Sequence, residues 1–107
     1  MIDRSDSHYE TVTALGRVVK DQVPANGKTW EIVRFIGSGA YLPTTTVKLV
    51  WDHGGPGEEI IASTHGDVNI EFVRQVVGDG AKKLALVLEN DADAAQALGG
   101  RYEAKEL

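Results

Sequence analysis

TTTVKLVWDHGGPGEEIIAST, Thr44 to Thr64, is the stretch whose reading decides the fold. Val47, Leu49 and Trp51 alternate onto one face, Gly54 to Gly57 (Gly-Gly-Pro-Gly) interrupts the run, and Ile60 and Ile61 resume it. Alternation at period two marks a half-buried strand, and a Gly/Pro cluster reverses the chain. The stretch therefore reads as a β-hairpin, and the other apolar segments read as its partners.

Toward the N-terminus, Gly37 to Pro43 (GSGAYLP) is a glycine-rich loop. It lacks the Gly-Lys-Ser/Thr ending of a phosphate cradle, and no helical pattern follows it. Before it, Thr29 to Ile36 (TWEIVRFI) reads as a strand with Trp30 and Ile32 on one face and Val33 and Phe35 on the other. Apolar residues on both faces suggest a central strand or one that also meets another subunit. Asn26-Gly27 supplies the positive φ of a tight hairpin turn ahead of it. Tyr9 to Lys20 reads as the first strand, and the polar, unpatterned Met1 to His8 as a flexible arm, or one that orders only against a neighbour.

Toward the C-terminus, Val68 to Val77 fits both a strand and a helical face. Its length between Gly66 and Gly78 and its β-branched residues decide for strand. Lys83 to Glu89 alternates leucines as a strand near the middle of the core. Asn90 to Gly100 is the one plausible helical piece, a turn or two at most, with Asp91 or Asp93 to cap it and Gly99 to end it. Arg101 to Leu107 reads as a closing edge strand with Tyr102 and Ala104 inward. Short strands at regular spacing, with Gly, Pro and Asn turns between them, predict an all-β domain. The expected fold is a small antiparallel β-sandwich, jelly-roll-like, as a single domain over residues 9–107 preceded by the arm.

The 107 residues carry 11 Lys and Arg against 16 Asp and Glu, a net charge of −5, and no cysteine. Scattered basic residues and an acidic balance argue against a phosphate-backbone binder, so nucleic acid is not an expected partner. Disulfides and thiol chemistry are excluded. The charged N-terminus has no signal-peptide pattern. The apolar run Leu84 to Leu88 is far short of the roughly 20 residues of a membrane helix, so no membrane partner is expected.

No catalytic constellation is visible, and the chain is not expected to be an enzyme. His8, His53 and His65 fall in the arm and in turns, without the spacing of a zinc site. Asn90-Asp91-Ala92-Asp93 alternates oxygens as calcium likes, but lacks the glycine and distal Glu of an EF-hand loop. Glu31, Glu71 and Glu89 fall in strands, where exposed glutamates are common, and a sandwich this small has little room for a glycosidase cleft. Trp30 and Trp51 read as core, and Tyr41 is the best exposed aromatic for stacking. No cofactor is expected.

Lys28-Thr29-Trp30-Glu31-Ile32, Val47 to Asp52, Gly57 to Ile60 and the Thr64-Gly66-Asp67 turn form an overall pattern. Gly78-Asp79-Gly80, Lys82-Lys83-Leu84, Leu88-Glu89-Asn90 and Leu98-Gly99-Gly100-Arg101-Tyr102 extend it. This pattern, covering about Val12 to Tyr102, resembles small bacteriophage virion proteins. It consists of turn glycines and strand starts, so no functional residue is carried over. The resemblance implies a head-decoration or cement protein on the capsid surface, made in the host cytoplasm. Its partner would be the major capsid protein, and its assembly a homo-oligomer, a trimer. A head-tail or tail accessory protein is the near alternative, and a carbohydrate-binding or adhesion module is the rival from the residues alone. Ile2 and His8 of the arm and Tyr9 at its end, with Tyr41 and Leu42 of the glycine-rich loop, are the candidate partner contacts.

Overall fold

The computed structural model describes residues 2–39 and 44–107. Eight strands follow one another: β1 (Arg4–Val12), β2 (Arg17–Gln22), β3 (Thr29–Ser38), β4 (Thr45–Trp51), β5 (Glu59–Thr64), β6 (Val68–Val77), β7 (Leu84–Asn90) and β8 (Gln96–Glu106). They form two four-stranded antiparallel sheets, ordered β1-β8-β3-β6 and β2-β7-β4-β5. The pairs β1 with β8, β2 with β7, β3 with β6 and β4 with β5 nest inside one another, the strand order of a jelly roll. No helix occurs among the described residues.

The core fills the space between the sheets. Trp30, Ile32, Phe35, Leu98, Tyr102 and Ala104 face inward from the first sheet, and Val47, Leu49, Trp51, Leu84, Leu86 and Leu88 from the second. The hairpin over β4 and β5 is where the alternation put it. Val68 to Val77 is a strand, and β7 lies mid-sheet between β2 and β4. The strand with two apolar faces is β7 itself: Ala85 and Val87, with Val50 of β4, form a second small buried cluster on the outer side of the second sheet.

Six expectations change. A bulge between Ile32 and Arg34 lets Val33 and Arg34 share the outer face and brings Phe35 back inward, where it is fully buried. Thr29 to Ile36 therefore has one core face, not two. Tyr9 to Lys20 is two strands in different sheets, parted by a turn in which Leu15 has a φ of 56°.

Gly27 has the positive φ (80°) of a turn, but the turn is no hairpin. It carries the chain from the second sheet to the first, held by Gly27 N–H donating to Gly78 O at 2.9 Å. The helical turn over Asn90 to Gly100 is absent. Fully buried Asn90 aims its amide at the carbonyls of Val12, Thr13 and Ala94, and its oxygen accepts from Ala92 N–H at 2.9 Å, so the loop wraps on that side chain. Gly99 and Gly100 lie inside β8, which is central and not an edge.

The sixth change is the arm. Arg4 to His8 is the first half of β1, paired residue by residue from Arg4 with Ala104 to His8 with Gly100. Alternating charges hid this strand, because its inward residues Arg4, Asp6, His8 and Glu10 are polar. Arg4 is tied to Glu106 at 2.7 Å, and Asp6 to Lys20 of β2 at 2.9 Å.

Candidate functional site

The outer face of the first sheet carries the relief that a partner would meet. The bulge at Val33 turns two successive side chains outward, so Arg34 stands at the centre of a polar ladder. Its Nε lies 3.0 Å from Glu103 of β8, its Nη1 donates to Asn69 Oδ1 at 2.6 Å, and its Nη2 pairs with Glu71 of β6. Lys105 approaches Glu31 at 3.8 Å, and Gln75 Nε2 donates to Glu31 Oε2 at 3.1 Å. Beside this ladder is an open depression of about 710 Å³ with Ile2, Val33, Phe72 and Val73 among its lining residues. Val73 is 72% exposed, so the face mixes satisfied charge with uncovered apolar surface. Such a mix suits reversible contact with another macromolecule better than enclosure of a small substrate.

A second, smaller depression of about 290 Å³ lies at the β1 end of the same sheet, lined by Tyr9, Glu10, Thr11, Ser38, Ala97 and Leu98. The Tyr9 ring lies on Gly99: a methyl group there would stand 1.7 Å from Tyr9 Cδ1. A glycine in β8 thus lets the ring lie on the sheet, and Tyr9 remains 55% exposed.

Of the candidate contacts, Ile2 lines the larger depression and Tyr9 the smaller one. His8 does not join them. It pairs with Gly100 on the inner side of β1, and its Nε2 meets Glu10 Oε1. Tyr41 and Leu42 lie outside the described residues.

The remaining titratable groups are dispersed. His53 meets Arg17 at 3.0 Å, and His65 meets Thr45 O at 2.9 Å. Glu89 lies on the outside of the second sheet with Lys48 at 2.9 Å, away from Glu31 and Glu71. Among the described residues no three His, Asp or Glu side chains are grouped as a metal would need. Asp79 caps the β6–β7 turn, and the Lys82 and Ala81 backbone N–H groups hold its carboxyl below its usual value.

No protein-family model matches the chain, and no curated protein sequence matches it significantly. Among solved structures, the mitogen derived from Yersinia pseudotuberculosis (YPM) superposes with a TM-score of 0.56 at 12% identity, over 95% of this chain and 86% of that one. PirA gives a TM-score of 0.42 at 17% identity, over 91% of this chain and 92% of that one. What the mitogen shares is the fold.

Arg34, Glu103 and Val73 were not among the sequence candidates. Nothing in TWEIVRFI marks Val33 as the bulged residue, so Val33 and Arg34 could not be seen to share the outer face. Val73 fitted only the helical face of Val68 to Val77, the reading set aside in favour of a strand.

Proposed function

We propose that this chain is a structural protein of a bacteriophage virion that acts by surface contact and not by chemistry. It would decorate the capsid exterior and stabilise the shell by bridging neighbouring major capsid subunits. The observation that carries the reading is the strand order. Nested antiparallel pairs in two four-stranded sheets form the jelly roll, an architecture used by viral capsid and lectin domains alike. Fold-level analogy is a prior and not a site. The resemblance of the turn and strand-start pattern to virion proteins adds to it, and the outer face of β8, β3 and β6 supplies the surface. Stabilisation would follow mass action, present while sites on the shell are occupied and lost on dilution.

The test is to induce phage from a host carrying the gene, band the particles by density, and quantify this chain by mass spectrometry. A fixed ratio to the major capsid protein is expected. Absence of the chain from intact banded particles would overturn the reading.

The lectin alternative rests on one specific feature, the half-exposed Tyr9 ring lying on the sheet beside Thr11 and Ser38. Rings on open sheet faces stack on sugars as they do on other flat ligands. In that case a glycan array would give specific signals that Tyr9→Ala removes. A blank array would eliminate it.

A further inference from the structure

Four strands end the two sheets: β1 and β6 the first, β2 and β5 the second. A free edge pairs with other chains unless charges, lysines or short length blunt it. Three of these edges are blunted. The register turns Arg4, Asp6, His8 and Glu10 of β1 inward. β2 has six residues and directs Lys20 onto Asp6 at 2.9 Å. β5 is also only six residues long and begins with Glu59, which pairs with Arg74.

β6 is different. It runs ten residues, contains neither proline nor lysine, and its one inward charge, Arg74, is already neutralised by Glu59. Its outer side shows Val73 at 72% and Val77 at 58% exposure, flanking Gln75.

We propose that β6 pairs antiparallel with β6 of a second copy, across a two-fold axis beside Gln75. Opposed residues of a continuous antiparallel sheet share a face, so the axis must pass beside a residue and not between two. An axis beside Glu71 or Arg74 sets like charges against each other, which is destabilising. An axis beside Phe72 or Val73 falls where β6 takes an extra residue relative to β3, between Arg74 and Glu71. An axis beside Val76 sets Val73 opposite residue 79, past the end of the strand at Val77, and so leaves Val73 without an apolar partner.

The axis beside Gln75 falls in the regular part of the strand, where Arg74 to Val77 pairs with Ile32 to Thr29. It matches Val73 with Val77 in both directions and Gln75 with Gln75, and it opposes Arg74 only to Val76; Glu71 and Asp79, the like charges this register would oppose, lie beyond the extra residue and beyond the end of the strand. The pair makes one eight-stranded sheet and sets the two depressions lined by Val73 on one continuous outer face. This inference rests on the strand edge and stands apart from the virion reading. A two-fold pair also differs from the trimer that the resemblance implies.

Because the chain has no cysteine, the register can be tested directly. Directly opposed Cα atoms in an antiparallel pair lie about 4.5–5.5 Å apart, within the span of a disulfide. Gln75→Cys should cross-link into a covalent dimer under mild oxidation, about tenfold faster than Val73→Cys alone, whose two sulfurs are four residues out of register. The double variant Val73→Cys, Val77→Cys should cross-link as well as Gln75→Cys. Light scattering should give a dimer for the native chain and a monomer for Val73→Lys, Val77→Lys, with circular dichroism unchanged. A native monomer or trimer would overturn the proposal, as would equal cross-linking of Gln75→Cys and Val73→Cys.

Discussion

The Tyr102 hydroxyl shows how a single group can work against the fold that buries it. The side chain is 1% exposed, and its oxygen has no hydrogen-bond partner among the described protein atoms. Burial, aided by the negative charge of Asp6, raises the phenol well above its ordinary pKa of 10.0. A folded pKa above the unfolded one favours the fold fully at pH below the unfolded value. That contribution is lost as pH rises from about 10 through the folded value, because only the unfolded chain ionises easily. A buried unpaired hydroxyl costs about 1–3 kcal/mol. Tyr102→Phe keeps the ring in the core and removes the hydroxyl. Its unfolding free energy at pH 7 should be unchanged or up to about 1 kcal/mol higher. In urea titrations at pH 7 and 11, the variant should lose less stability between the two than the native chain. A variant clearly weaker at pH 7 would mean that the hydroxyl is bonded after all.

At the scale of elements, what was legible followed from local pattern, and what was not followed from contacts between distant segments. The β4–β5 hairpin is local, so its alternation and Gly/Pro break sufficed. The Asn26-Gly27 turn was legible as a turn but not as a crossing between sheets, because what holds it is Gly78, some fifty positions on. The helix expected after Asn90 failed for the same reason: the loop is wrapped on a buried side chain that also reaches Val12 and Thr13. Of the candidate surface, Ile2 and Tyr9 could be picked out as apolar residues in a polar stretch. Val33 and Arg34 could not, since a bulge is invisible to period-two reading. The crossing gives a prediction of its own. A methyl group on buried Gly78 would stand 2.5 Å from Ala25 O and 2.6 Å from Pro24 O. Both are backbone atoms of a loop pinned by Gly78 N–H donating to Lys28 O at 2.8 Å, so neither can step aside. Gly78→Ala should cost about 2–3 kcal/mol by overpacking, read as a lower urea midpoint at unchanged slope. A variant of native stability would show the crossing to be loose.

For the molecule as a whole, the nested strand order makes the two ends of the chain structural neighbours. β1 closes one edge of the first sheet only by pairing with β8, so the first residues support the last. The sequence reading would let residues 1–8 be removed without harm to the domain; the geometry says otherwise. Their removal takes away half of the β1–β8 ladder. It also removes the Arg4–Glu106 pair at 2.7 Å, the Arg4 guanidinium 5.8 Å from the centre of the Trp30 ring, and the Asp6 partner of Lys20. The last turn of the ladder would go too, where Glu106 N–H donates to Asp3 Oδ1 at 2.8 Å. Several hydrogen bonds at roughly 0.5–1.5 kcal/mol each, with the lost cover over Trp30, put the cost at about 3 kcal/mol or more. That is a large fraction of the 5–15 kcal/mol typical of a domain. The truncated chain would also expose the edge of β8 over Gly100 to Ala104, whose inward residues Gly100, Tyr102 and Ala104 carry no charge to repel another strand. Deletion of residues 1–8 should therefore lower the urea midpoint sharply and promote aggregation on heating. Arg4→Ala alone should show a small part of the same loss. If the truncated domain unfolds at the native midpoint, β1 pairing contributes nothing over those residues and they are the free arm that their composition suggests.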